Sequence, residues 1–73
     1  MTDDEISAHV GHAIANRRKE LGMTVQGLAE KAEMNRPHLV KIESGKGNPT
    51  ILTISHLSRV LDTNPSQLLQ GIA

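Results

Sequence analysis

TVQGLAEKAEMNRPHLVKIESGKGNPT, residues Thr24–Thr50, decides how the rest of the chain is read. Thr24 is placed to cap a short helix whose inner face is Leu28 with Ala29 and Ala32. Asn35 caps a second, with Leu39 and Ile42 inward and Gly45 closing it. Two helices joined so tightly must cross steeply, so their backbones approach closely at one point. Only a small side chain fits there, which accounts for Ala29 opposite Leu39. The second helix is then held from behind and turns Arg36, Pro37, His38, Val40 and Lys41 outward. An exposed helix offered in this way fits the major groove of DNA, which is about 12 Å wide.

The flanking sequence carries the same punctuation. TDDE is a capping box, with Thr2 as N-cap and Glu5 as its partner, and its three acids suit the positive end of a helix dipole. Ile6, Val10, Ala13, Ile14, Arg17 and Leu21 then recur at helical spacing until Gly22. Thr50 caps a fourth helix carrying Ile51, Ile54, Leu57 and Leu61. Asn64 caps a fifth, with Pro65 at its first position and Gln67 completing a second capping box. No stretch alternates at period two, so the expectation is all-α: five helices in a single domain over residues 1–73.

Composition narrows the function classes. The chain has no Phe, Tyr or Trp, whereas readers of single-stranded nucleic acid stack unpaired bases on such rings. It has no cysteine, hence no disulfide framework, thiolate metal site or thiol nucleophile. The acidic start MTDDEISAHV lacks the apolar core of a signal peptide, and no run approaches the length of a membrane span. A cytoplasmic protein without membrane contact is expected. Eight basic and eight acidic residues cancel overall. From Arg36 to Lys46, however, Arg36, Lys41 and Lys46 stand against Glu43 alone.

IANRRKELGMT, GLAEKA, NRPHLVKIESGKGNPT and LSRVLDTNPSQLL together resemble the phage-repressor helix-turn-helix family, the Cro/cI-type or XRE-like domains. The resemblance runs from about residue 7 to 71 and implies a five-helix lambda-repressor-like domain with the helix-turn-helix at helices 2 and 3. It implies a dimeric transcriptional regulator that needs no cofactor and sets its third helix in the major groove.

Carried over residue by residue, the resemblance assigns base reading to Arg36, Pro37, His38, Val40 and Lys41. An arginine there forks onto guanine O6 and N7, His38 reaches a base or a phosphate, and Pro37 and Val40 meet thymine methyls. Thr24, Gln26, Ser44, Lys46 and Asn48 fall at helix ends and loops that flank the groove and are assigned to phosphates. Arg18 and Glu43 match a salt bridge between the first and third helices and are read as structural. Two positions depart from the family pattern. Val25 stands where glutamine is usual, so a phosphate contact is lost or passes to Gln26. Glu33 stands where the turn usually has glycine in a left-handed conformation, which costs on the order of 1 kcal/mol.

The remaining candidates carry less. Arg17, Arg18 and Lys19 read as a solvated helix face with one structural arginine. His9 and His12 share a helix face but lack a third ligand, so no metal site is expected. His56 is read as solvent-facing, and no catalytic constellation is present, so an enzyme is not expected. Leu52, Leu68, Leu69 and Ile72 are apolar residues with little core left to cover, which suggests a two-fold interface. The resulting expectation is a regulator that binds a pseudo-palindromic operator in double-stranded DNA as a homodimer. The alternative is a protein-interaction module, such as an antitoxin that masks a partner protein, with DNA binding secondary.

Overall fold

Five caps set the five helices. In the computed structural model, which describes residues 2–71, the helices are α1 (Asp3–Glu20), α2 (Val25–Ala32), α3 (Arg36–Glu43), α4 (Ile51–Val60) and α5 (Pro65–Leu68). Thr2, Thr24, Asn35, Thr50 and Asn64 each sit in extended conformation, and each side chain accepts a backbone N–H three residues on. The Thr2–Glu5 box closes in both directions. The Thr2 backbone N–H, then its hydroxyl, hold the Glu5 carboxyl below its ordinary range. At Asn64 only the cap itself forms, and the Ser66 hydroxyl also donates to Asn64 Oδ1.

Short helices of eight residues are marginal alone and persist through packing. Here α1 packs on α3 and α5, α2 on α3 and α4, and α4 on α5. One aliphatic core results, built from Val10, Ile14, Leu28, Ala29, Ala32, Leu39, Ile42, Ile54, Leu57, Leu61 and Leu68. The expected inner residues of α2 and α3 are all in it.

Three expectations about burial need correcting. Ile51 is 69% exposed, because it is the first residue of α4 and its side chain lies beyond the edge of the core. Leu21, the C-cap of α1, is exposed as well. Leu68, expected at an interface between copies, is buried to 3% in the core of its own chain.

The backbones of α1 and α3 approach closely at a glycine that periodicity does not single out. A Cβ on Gly11 would lie 2.1 Å from the Ile42 carbonyl oxygen and 3.0 Å from that of Glu43. Nearby, a Cβ on Gly45 would lie 2.8 Å from Ala8 Cα, and Gly45 also has φ +80°. These two glycines let α1 lie directly against the C-terminal end of α3.

Candidate nucleic-acid interface

Between α2 and α3 the chain turns through Glu33, whose φ of 55° and ψ of 43° are left-handed. The Glu33 N–H donates to Glu30 O, and the Met34 N–H donates to Ala29 O at 2.8 Å, which closes the end of α2. Asn35 then starts α3, its Oδ1 accepting from His38 N at 3.2 Å, with Pro37 in the first turn. A second brace comes from α4. His56 is half-buried, not solvent-facing as expected, and its Nε2 donates to Ala32 O at 2.7 Å. That carbonyl lies at the end of α2, where no helical partner remains for it.

The opposite end of α3 is held by Arg18. Its Nε donates to Glu43 Oε2 at 2.9 Å, its Nη2 to Glu43 Oε1 at 3.0 Å, and its Nη1 to Met23 O at 2.8 Å. Glu43 is thereby neutralised within the fold, so its charge does not offset Arg36, Lys41 and Lys46. Arg17 is structural as well, against the expectation of a single structural arginine: it reaches the carbonyls of Leu61 and Asp62. Of the three adjacent cations only Lys19 is exposed.

With Leu39 and Ile42 buried, the other side of α3 is open. Arg36, Pro37, His38, Val40 and Lys41 are all exposed, Val40 to 43%. Thr24 and Gln26 are exposed at the start of α2, where Thr24 accepts from Gly27 N and Gln26 donates to Glu30. Val25 turns against the core. Beyond α3, the Ser44 hydroxyl donates to Lys41 O, and the N–H groups of Lys46 and Gly47 wrap back onto the same carbonyl. Lys46 and Asn48 are exposed, but Asn48 Oδ1 accepts from the Ser7 hydroxyl at 2.9 Å. Asn48 therefore also ties this loop to α1.

A groove of about 380 Å³ runs beside the turn, with Met34, Asn35 and His38 on one side and Leu52 and His56 on the other. Leu52 is 81% exposed. With Ile51 it makes an uncovered aliphatic corner next to the start of α3. Leu69 is half-buried against the core, and Ile72 lies outside the described residues. His9 is tied to the end of the chain, with its Nε2 2.6 Å from Gln70 O, while His12 is exposed. Among the described residues no helix is long and apolar enough to cross a membrane.

Gly11, the His56 brace and the Arg17 contacts are nearly silent in the sequence. A glycine in the middle of a strongly punctuated helix is the one signal for the first. The other two are side chains on backbone carbonyls remote in sequence, which leave no local pattern.

Comparison with known proteins agrees with this geometry. Residues 14–68 match a family described as helix-turn-helix. An uncharacterized HTH-type transcriptional regulator of Sinorhizobium fredii is 28% identical over 60 residues, which cover 82% of this chain and 78% of that protein. One from Methanothermobacter thermautotrophicus is 33% identical over 48 residues, covering 66% of this chain and 70% of that protein. Among solved structures, an HTH_3 family transcriptional regulator from Vibrio cholerae superposes with a TM-score of 0.88 at 24% identity. That match covers 97% of this chain but 40% of the other. The restriction-modification controller protein C.AhdI from Aeromonas hydrophila superposes with a TM-score of 0.80 at 24% identity, over 85% of this chain and 94% of that one.

Proposed function

The chain belongs to the helix-turn-helix family, and we propose that it is a sequence-specific reader of double-stranded DNA that regulates transcription as a homodimer. One observation carries this reading. α3 is fixed at both ends and buried along its back, while Arg36, Pro37, His38, Val40 and Lys41 are all exposed on the other side. Arg36 and Lys41 offer donors to base edges; Lys46 and the N–H groups at the start of α2 offer contacts to phosphate.

The two-fold reading is supported by the exposed pair Ile51 and Leu52. Two aliphatic side chains side by side on so small a surface gain by being covered, at about 25 cal/mol per Å² removed from water. The corner lies beside the start of α3, so a second copy seated there would set two reading helices in a fixed relation. Such a dimer binds half-sites roughly 34 Å apart on one face of the duplex.

Selection of bound sequences from random duplexes tests this directly. The expected outcome is an inverted repeat with fixed spacing. Recovery of unordered sequences would overturn specific reading, and recovery of a lone half-site would overturn the dimer. If the protein instead purifies with a different chain seated on Ile51 and Leu52, the partner-masking alternative takes precedence.

A further inference from the structure

We propose that Arg17 is a positioning residue for self-association, fixing the turn between α4 and α5 and with it the surface one copy presents to another. The inference rests on the two-fold reading above. Arg17 leaves α1 and donates from Nε to Leu61 O at 2.9 Å and from Nη2 to Asp62 O at 3.1 Å. These carbonyls follow the last turn of α4, where helical N–H donors run out and the dipole favours a cation.

The turn that Arg17 grips is itself constrained. Asp62 has φ 54°, and the Thr63 N–H donates to Ser58 O at 2.8 Å, so α4 ends in a closed left-handed turn. The α1–α4 pair is not among the helix pairs that pack closely. A groove of about 240 Å³, lined by Ala13, Arg17, Glu20, Thr63, Gln67 and Leu68, lies between α1 and the turn. The guanidinium is therefore the polar strut across it. α5, with four residues, takes its direction from this turn and from the burial of Leu68.

The proposed contact surface refers to that strut. α4 carries Ile51 and Leu52 at its start and is gripped by Arg17 at its end. The neighbouring arginines thus divide two tasks. Arg18 fixes the helix that faces DNA, and Arg17 fixes the elements that face a second subunit.

The test compares the whole chain with Arg17→Gln and Arg17→Lys. Sedimentation gives the dimer constant, and binding to duplexes with one half-site, or with two at stepped spacings, gives the geometry. Arg17→Gln should weaken self-association about tenfold or move the preferred spacing, while affinity for a single half-site stays within about twofold. Arg17→Lys, which keeps a cation at the carbonyls, should fold and recover part of the loss. Equal losses on one and two half-sites would mark a merely structural role and overturn the inference. So would an unchanged dimer constant and spacing. A wild-type protein that stays monomeric would overturn the two-fold reading itself, whereas a wild-type dimer with an indifferent variant would overturn the role of Arg17 alone.

Discussion

Arg18 grips Glu43 with two parallel hydrogen bonds, 2.9 and 3.0 Å long, while its third nitrogen holds Met23 O. α1, the α1–α2 connection and the end of α3 are joined through one side chain. Only 11% and 10% of the two side chains remain exposed, so the pair is far from the solvated ion pairs that contribute little. Removing one partner leaves the other charge buried. Arg18→Ala should therefore lower stability by about 3 kcal/mol in urea denaturation. Adding Glu43→Ala should cost less than the sum of the single changes; an unchanged midpoint for Arg18→Ala would refute the coupling.

Glu33→Gly should stabilise the protein. Residue 33 is exposed and left-handed at φ 55°, and a side chain there costs on the order of 1–2 kcal/mol. Glycine removes that cost but makes the unfolded chain more flexible, which offsets up to about 1 kcal/mol. A net gain of about 0.5–1 kcal/mol is expected in thermal or urea melts. Equal or lower stability would count against a strained turn.

Gly11→Ala should do the opposite, although alanine is the better helix former by about 1 kcal/mol. The added carbon would sit 2.1 Å from a backbone oxygen of α3, and a helix backbone cannot move aside as a flexible side chain can. Forcing the two helices apart costs about 1–3 kcal/mol and shifts α3 as well. A net loss in urea melts is expected, together with weaker discrimination between selected and random DNA. A variant at least as stable as wild type would show that α1 and α3 lie further apart.

Arg36→Ala and Lys46→Ala separate reading from holding. Arg36→Ala should cost about 1–3 kcal/mol on the selected site and relax preference at one base pair. Lys46→Ala should weaken every sequence alike and reduce the dependence of log K on log salt by about one. Binding titrations at stepped salt, on selected and random duplexes, distinguish the two. Identical behaviour of both variants would dissolve the assignment.

What the sequence revealed follows from how local each signal is. Each cap binds an N–H three residues away, so Thr2, Thr24, Asn35, Thr50 and Asn64 could be read from neighbouring letters. The open face of α3 followed from the spacing of Leu39 and Ile42. Ile51 misled because periodicity says which way a residue points, not whether core extends that far. Leu68 misled in reverse, since a four-residue helix has too little periodicity to show what it covers. Arg17 and His56 act on carbonyls 44 and 24 positions away, contacts that exist only once the helices have assembled. The Arg18–Glu43 pair is also distant, and family resemblance, not spacing, brought those two residues together.

The ring-free interior gives the molecule an optical property. With no tyrosine or tryptophan anywhere in the chain, it is almost dark in the near ultraviolet. One indole in place of Leu52 would then be a lone lamp at the aliphatic corner, its colour reporting whatever comes to rest there.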